Sequence, residues 1–315
     1  MTWQRNGGGA FYISEHFRVS KELDGPCLVG YPQCGFSAQG TVEMPNDAFS
    51  LTKWYFDCTS IDGRTAIGYH ASLEWRRLSL TWQALSLWDG GELSLDRSVM
   101  AAGPKPWCDG DRIRWNAPRL GCVYMAERLV EPVEVRLFEH RGGSLDWRCE
   151  APAATTTLSI AGRSSLRGTG YAERIRMTIP PWQLPIRELR WGRWIDEAAM
   201  HSVVWIDWRS PEPRTWVLLD GTVTSHADVR DACVVAGSAV LTLERRCTLS
   251  TRSLLDIIGR FAALRAVVPS SLMSLRQVKW QSHGTWRREG VNSVTGTAIH
   301  ERVVFHDNHH EFSQR

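Results

Sequence analysis

The sequence predicts an all-β protein whose antiparallel strands form barrels or sandwiches. Three observations predict this class. Apolar and polar residues alternate over many short segments, and Asp-Gly or Gly-Gly turn signals separate these segments at short intervals. Strand follows strand, so the alternation of strands and helices that a parallel sheet requires is missing. Closing such sheets into barrels would remove their exposed edges.

The alternating segments form two series, one on each side of a proline cluster near the middle of the chain. The first series contains residues 64–75, 78–88, 133–140 and 144–149, and the second contains residues 202–208, 215–219, 239–244 and 299–305. Turn signals at Asp62-Gly63, Asp89-Gly90-Gly91 and Asp220-Gly221 bound several of them. Each segment is therefore predicted to be a strand.

The proline cluster, Pro180-Pro181 and Pro185, marks the predicted domain boundary. A chain of 315 residues suits one large or two medium domains. We therefore expect an N-terminal barrel over residues 1–180 and a C-terminal barrel over residues 181–315, which meet near Trp182–Trp194. One helix is predicted in the C-terminal region, over about residues 251–268, because its apolar residues recur at helical spacing and Pro269 would stop it.

Composition excludes several classes of function. The net charge is only +3 and no run of basic residues occurs, so nothing favours nucleic acid or an anionic membrane surface as a partner. No apolar run approaches the length of a spanning helix, and the first residues lack a secretory apolar region. We expect a cytoplasmic location without stable membrane insertion. The composition does not predict the oligomeric state.

Metal and cofactor sites are also unsupported by the sequence. The eight cysteines are scattered without a pair at zinc or redox spacing, so free thiols are expected. The tail from His306 to His310 resembles a ligand cluster but lacks partner cysteines, and we interpret it as a solvated terminus. Neither a phosphate-binding loop nor a dinucleotide fingerprint occurs. No metal and no cofactor are predicted.

Tryptophan is strongly enriched, with 16 residues against 6 tyrosines and 9 phenylalanines. An indole is a large apolar ring whose N–H group usually has a hydrogen-bond partner when the ring is buried. This enrichment suits a wide cavity lined by indoles that binds an apolar small molecule. The alternative is that many of these rings plug the ends of barrels.

The stretch Gly168-Thr-Gly-Tyr-Ala-Glu173, which precedes a segment dense in tryptophan, carries the candidate chemistry. A carboxyl group among indole rings is poorly solvated, and this raises its pKa above the ~4.3 of free glutamate. A neutral carboxylic acid beside aromatic faces suits protonation of an apolar substrate and shelter of the resulting cation. The alternative is a Glu173 paired with Arg174 or Arg176 on a barrel rim.

Several short motifs occur together in a characteristic order along the chain. They are Lys53-Trp-Tyr-Phe-Asp57 with Asp62-Gly63, Trp147 ahead of Pro152, Gly170-Tyr-Ala-Glu173 and Trp191-Gly-Arg193. The ordered set resembles the double-lipocalin superfamily of acyclic carotenoid hydratases, AttH-like proteins and fungal cyclases that catalyse Diels–Alder reactions. The resemblance covers roughly residues 50 to 210, and a weaker match occurs at Gly296-Thr-Ala-Ile-His-Glu301. It implies two lipocalin-like barrels.

The resemblance also implies roles for three residues. In the carotenoid hydratases the matching segment is Gly-Tyr-His-Asp-His-Asn-Trp-Gly, and its Asp protonates a terminal isoprenoid double bond. Tyr171 matches the motif tyrosine, Glu173 matches the proton donor, and Trp147 matches an upstream indole that shapes the same site. Ala172 and Arg174 stand where the hydratases have histidines.

Further candidates surround this motif, each with an ordinary structural alternative. Trp54, Trp147, Trp191, Trp194 and Tyr69 would line the substrate cavity, or pack in the core. Arg193 would grip an anionic group, or pack over indoles. His201 would be a base that removes a proton or activates water, or an ordinary strand histidine, and His70 has the same two readings.

The sequence thus predicts a cofactor-independent cyclase or hydratase, an isomerase or lyase of natural-product or terpenoid biosynthesis. Glu173 would protonate an alkene of an isoprenoid-like or polyketide-like substrate, with Tyr171 and His201 as its catalytic companions. Two alternatives remain open. One is a pericyclic cyclase that works by orienting a linear polyene, and the other is a lipocalin that binds an apolar ligand without turnover.

Overall fold

The computed structural model describes residues 49–140, 142–224, 226–253 and 275–305, which lie within one compact unit, Met44–Arg315. The predicted fold class is confirmed. The described residues form two large sheets in which every pair of neighbouring strands is antiparallel.

Ten strands form the first sheet. They are β1 (Phe49–Ser60), β2 (Thr65–Trp75), β3 (Leu78–Asp89), β4 (Glu92–Met100), β5 (Trp107–Asp109), β6 (Arg112–Ala117), β7 (Cys122–Arg128), β8 (Val133–His140), β9 (Gly143–Ile160) and β10 (Leu166–Met177). Their order across the sheet is β4-β3-β2-β1-β10-β9-β7-β6-β5, and β8 pairs with β9. A short 3-10 helix, Pro181–Gln183, follows.

Nine strands form the second sheet. They are β11 (Glu188–Asp196), β12 (Ser202–Arg209), β13 (Arg214–Leu219), β14 (Thr222–Thr224), β15 (Ala227–Val229), β16 (Cys233–Ala236), β17 (Ala239–Ser253), β18 (Arg276–Arg288) and β19 (Val291–Val304). Their order is β14-β13-β12-β11-β19-β18-β17-β16-β15. Both sheets therefore place their first strand in the centre, beside their last long strand.

The two sheets create three apolar cores, because successive side chains of a strand point to opposite faces. The inner face of the first sheet buries Phe56, Trp115 and Leu158 in one cluster. The inner face of the second sheet buries Trp194 and Trp286 in another. The third cluster lies between the sheets and takes side chains from both.

The interior of the first sheet is filled rather than open. Gly68 makes this packing feasible, since a Cβ there would come within 2.8 Å of the Trp115 ring. Trp115 in turn stacks on Phe56 with ring centroids 5.3 Å apart. A void of about 10 Å³ remains beside these rings. A void of that size holds roughly one water molecule, so the space beside these rings has no room for a substrate.

Three sequence predictions, on the helix, the C-terminal tail and the domain boundary, have different outcomes in the structure. Residues 251–253 of the predicted helix belong to β17, and residues 254–268 lie outside the described part of the chain. The tail from His306 to His310 also lies outside it. The domain boundary at residue 180 stays a prediction, although the first sheet ends at Met177 and the second begins at Glu188.

Six cysteines in the described ranges are free thiols. Within the same ranges no helix has the length and apolar character needed to cross a membrane. No cluster of three or more His, Cys, Asp or Glu side chains in these ranges could hold a metal ion.

A buried ion pair joins the two sheets. Arg193 of β11 donates to both carboxylate oxygens of Asp57 of β1, with Nη2–Oδ1 and Nε–Oδ2 distances of 2.7 and 3.1 Å. The same guanidinium donates to the Thr59 hydroxyl and to the Thr297 carbonyl oxygen. Neither charged side chain is exposed. All of these partners lie on the faces where the sheets meet.

Replacing Arg193 by Met should lower the free energy of unfolding by about 3–5 kcal/mol, because it leaves the Asp57 carboxylate buried without its counter-charge. Chemical denaturation measures this. Arg230→Met is the matched control, since the Arg230–Asp228 pair is exposed and should change stability by less than about 1 kcal/mol. Adding Asp57→Asn to Arg193→Met should recover part of the loss. A loss from Arg193→Met as small as the control's would contradict the bridging role of this pair.

Candidate active site

The candidate site centres on Glu173, which lies in β10 on the face that meets the second sheet. Three neutral donors converge on its Oε2 atom. The indole Nε1 of Trp147 donates at 2.6 Å, the Tyr171 hydroxyl at 2.8 Å, and the indole Nε1 of Trp191 at 3.0 Å. Trp147 and Tyr171 come from the first sheet and Trp191 from the second, so the site forms only where the sheets meet.

Burial raises the pKa of Glu173 above its usual value. The side chain is 5% exposed and lies among apolar and aromatic neighbours, where a charged carboxylate is poorly solvated. The hydrogen bonds from Trp147 and Tyr171 and the charge of Lys53 oppose this rise in pKa without cancelling it. The nearby Glu301 carboxylate adds to it. The balance favours a neutral carboxylic acid over a wider pH range than for a free glutamate.

The hydrogen-bond pattern also locates the proton of the neutral acid. All three donors address Oε2, and among the described residues none addresses Oε1. An oxygen that accepts from three donors has no lone pair left to carry a proton. The proton of neutral Glu173 therefore resides on Oε1, which leaves Oε1–H as the group that can donate outward.

A charged side chain also contacts Trp191. The ammonium of Lys279 in β18 is 4.8 Å from the centroid of the Tyr55 ring and 4.9 Å from that of the Trp191 ring. These two rings meet edge to face with centroids 4.9 Å apart. Trp191 thus contacts the Glu173 carboxyl group through its N–H and the Lys279 ammonium through its ring face.

Lys279 is 3% exposed and pairs with Glu301 of β19, with Nζ and Oε2 2.7 Å apart. Burial alone would lower the pKa of Lys279, but the Glu301 carboxylate outweighs it and raises that pKa. Burial likewise favours neutral Glu301, yet Lys279 and Lys53 lower the pKa of Glu301 overall. The pair is therefore ionised within the interface.

The interface cluster also includes apolar side chains that are only partly buried. Half-buried side chains pack against the interface cluster that contains Tyr171 and Trp191; among them are Leu51, Tyr69, Leu73, Trp75, Ile175, Trp182 and Leu189. Trp75 and Trp182 contact each other with ring centroids 5.1 Å apart. Half-buried apolar side chains on this interface are suited to contact a largely apolar ligand.

Four of the residues predicted from the sequence come together here. Glu173 is bound by Tyr171, Trp147 and Trp191 as described above. Trp147 and Tyr171 are fully buried, so in this structure they hold the acid rather than form a cavity wall. Tyr69 lies one strand away and contacts Tyr55, with ring centroids 5.4 Å apart.

Three others lie elsewhere. Trp54 lies on the inner face of the first sheet, opposite to the face that carries Tyr55, and it stacks on Phe56. Trp194 is buried inside the second sheet, where its Nε1 donates to the Gly284 carbonyl oxygen. Arg193 is fully buried by its bonds to Asp57. Alternation along β1 and β11 and the interface ion pair keep these groups away from Glu173.

Neither predicted histidine base reaches Glu173. His201 lies at an end of the second sheet, where its Nδ1 is 3.2 Å from Asp220 and its ring contacts Trp286. His70 is buried on the inner face of the first sheet, across the ladder from Trp54. Burial, with the charge of Lys105, lowers the pKa of His70. The structure brings neither imidazole into the interface cluster.

Sequence reasoning missed Lys279 and Glu301. Lys279 carries no local signal, because it is one lysine in an alternating strand whose partners come from β1, β11 and β19. Glu301 did have a signal. It is the last residue of the segment Gly296-Thr-Ala-Ile-His-Glu301, which is similar in sequence to the segment that ends in Glu173.

Comparisons with known proteins give a limited result. No protein-family model matches the chain, and no curated protein sequence matches it. Solved structures that overlap with most of it include three different proteins. Kievitone hydratase from Nectria haematococca has 10% identity and a TM-score of 0.49, over 85% of this chain and 93% of that one.

The other two are similarly distant. A putative AttH from Nitrosomonas europaea has 10% identity and a TM-score of 0.48, over 81% of this chain and 92% of that one. CghA with Sch210972 has 12% identity and a TM-score of 0.47, over 82% and 89%. An AttH, one of the groups that the sequence motifs resemble, is thus among these neighbours. Nothing about activity or substrate follows from likeness of this extent.

Replacing Trp147 by Phe should raise the pKa of Glu173 further, because it removes the shortest of the three bonds that stabilise the carboxylate. Infrared titration of the carboxyl C=O stretch measures this, with Glu173→Gln used to assign the band. Trp54→Phe is the matched control, since Trp54 lies on the opposite face of the sheet. An unchanged Glu173 titration in Trp147→Phe would show that this bond has no influence on the acid.

Proposed function

We propose that the protein is a cofactor-independent, acid-catalysed cyclase or hydratase. Its substrate is a largely apolar, isoprenoid-like or polyketide-like molecule with an alkene, and Glu173 is the proton donor. The observation that carries this proposal is a buried carboxyl group whose pKa is raised and whose Oε2 is saturated by three neutral donors.

The chemistry begins with transfer of the Oε1 proton to an alkene carbon. The π electrons of the alkene form the new C–H bond, and a carbocation remains on the neighbouring carbon. The resulting Glu173 carboxylate is stabilised by the Trp147, Tyr171 and Trp191 donors, which are already in place before the proton leaves. Preorganised donors of this kind require no rearrangement as charge develops. A second alkene then closes a ring, or water adds.

Neutral donors suit this role better than a cation would. A lysine or arginine bound directly to Glu173 would favour the carboxylate and leave no proton to transfer at neutral pH. Two indoles and a phenol instead fix the geometry of the acid while its burial keeps the pKa raised. The donor set therefore supports an acid rather than a permanently charged group.

Glu173→Gln should lower turnover by about 100-fold or more, the usual contribution of a general acid, while folding and ligand binding persist. The assay incubates protein in D₂O with linear isoprenoid alcohols (geraniol, farnesol, geranylgeraniol) and linear polyenoate esters. Mass spectrometry detects deuterium in products and in recovered substrate. Asp146→Asn is the control, because the Asp146 carboxylate forms an ion pair with Arg136 in the same sheet. Full activity in Glu173→Gln would contradict the assignment of Glu173 as the proton donor.

The pH profile gives a separate prediction. A proton donor works only while protonated, so turnover should fall as pH rises through the pKa of Glu173, which burial places above that of a free glutamate. A solvent isotope effect should accompany this acid limb. A pericyclic cyclase would show neither feature, and a binding protein would retain its ligand without turnover.

A further inference from the structure

We infer that Glu301 is the general base of the site, a second carboxylate that lies beside the same pair of interface rings as Glu173 and occupies the equivalent position of the second sheet. This inference rests on the proposed function, because it names the group that accepts a proton after Glu173 has donated one. Three independent observations support it: a repeated sequence segment, an equivalent place in the strand ladder, and a contrasting set of partners.

The sequence repeat is short but structurally matched. Gly168-Thr-Gly-Tyr-Ala-Glu173 and Gly296-Thr-Ala-Ile-His-Glu301 share their glycine, threonine and glutamate at the same spacing. Both glycines meet the same constraint. A Cβ on Gly168 would overlap the backbone of Thr59, and a Cβ on Gly296 would overlap the backbone of Ile195. The two segments are therefore packed in the same way against the first strand of their sheet.

The ladders place the two carboxylates equivalently. In the first sheet Glu173 of β10 pairs with Tyr55 of β1, and in the second Glu301 of β19 pairs with Trp191 of β11. Asp57 and Arg193, which join the sheets, each lie two residues beyond these rings. Since Tyr55 and Trp191 contact each other across the interface, the two glutamates flank one pair of touching rings.

Their partners differ in charge. Glu173 accepts hydrogen bonds from neutral groups, whereas Glu301 accepts from the Lys279 ammonium and from the Gln277 amide. Both of the Glu301 donors address Oε2, so its Oε1 is not addressed by any of the described residues. The pKa of Glu173 is raised and that of Glu301 lowered. Two carboxyl groups driven apart in this way are suited to act as acid and base.

The proton balance of a complete turnover then closes. Glu173 gives its Oε1 proton to the alkene and becomes a carboxylate. In cyclisation, Glu301 Oε1 takes a proton from a carbon next to the final cation, and the C–H electron pair forms the new alkene. In hydration, water oxygen bonds to the cation and the water proton goes to Glu301. Proton exchange with solvent restores the starting state of both glutamates.

Other charged and titratable groups face Glu301 from the strands packed against it. They are Lys279 from β18, Lys53 and Tyr55 from β1, Tyr69 from β2 and Glu173 from β10. Of these, Lys279 is the direct ion-pair partner of Glu301. Its removal is therefore the sharpest way to change the protonation of Glu301 without changing its position in the strand.

The test compares Glu301→Gln with Glu173→Gln in the same D₂O assay with the same probes. In Glu301→Gln the cation still forms but is not resolved, so it returns to alkene. Product formation should fall about 100-fold or more, while deuterium continues to enter recovered substrate. Glu173→Gln should lose both readouts. Glu188→Gln is the control, because it removes a carboxylate paired with Arg190 and Arg302 on the opposite face of β11.

Glu301→Asp guards against misfolding of the first variant, since it keeps a negative charge beside Lys279 while retracting the carboxylate. It should fold and should show the same loss of product with retained exchange. Lys279→Gln adds a pH readout. A base works only when deprotonated, so product formation falls as pH drops through its pKa. Removing Lys279 raises that pKa, and this limb of the profile should move to higher pH.

The outcomes separate the two proposals. If Glu173→Gln loses both readouts but Glu301→Gln and Glu301→Asp form product at the wild-type rate, the role of Glu301 is overturned and that of Glu173 stands. Parallel loss of product and exchange in folded Glu301→Asp also overturns it, because a base acts after protonation. If the wild-type protein exchanges and converts none of the probes, both proposals fail.

Discussion

The Arg193 guanidinium crosses from the second sheet to the first and holds both carboxylate oxygens of Asp57. A buried charge is costly without its partner, so this pair restricts how β1 and β11 can lie against each other. Two residues before the pair on each strand come Tyr55 and Trp191, whose rings meet as a consequence. The strands beside these rings carry Glu173 and Glu301. The composition of the site therefore depends on the ion pair.

The abundant tryptophans serve two physical purposes in this arrangement. Inside the sheets, rings such as Trp115 and Trp194 fill volume that would otherwise be open. Between the sheets, Trp147 and Trp191 each offer one N–H to Glu173. An indole supplies a donor together with a large apolar surface and no charge. The acid is thereby held in place without the counter-charge that would deprotonate it.

The two glutamates show how partners, rather than position, decide the protonation of a carboxyl group. Both lie in the last long strand of their sheet, beside its first strand. Burial disfavours the charged form of both. Lys279 reverses this for Glu301 because an ammonium 2.7 Å away stabilises the anion. Glu173, whose three hydrogen bonds come from neutral donors, keeps a raised pKa.

The sequence by itself predicted several of the strands, because alternation is a local property of consecutive residues. Segments such as Thr65–Trp75 and Ser202–Arg209 appear where the period of two predicted them. It also named Glu173 as a candidate together with Tyr171, Trp147 and Trp191, the three residues that donate to it, since a carboxyl group preceding a tryptophan-rich segment is visible in the chain. Alternation further implies that Trp54 and Tyr55 point to opposite faces.

Only the tertiary structure decided which of those faces meets the other sheet. Both neighbours are aromatic, so their chemistry does not distinguish a sheet interior from an interface between sheets. The structure turns Tyr55 toward Trp191 and Trp54 toward Phe56. It also brings Lys279, which lies 224 positions after Tyr55 and 88 positions after Trp191 in the sequence, into contact with both rings while pairing it with Glu301. Contacts between distant strands depend on how the sheets pack, and no local pattern records that packing.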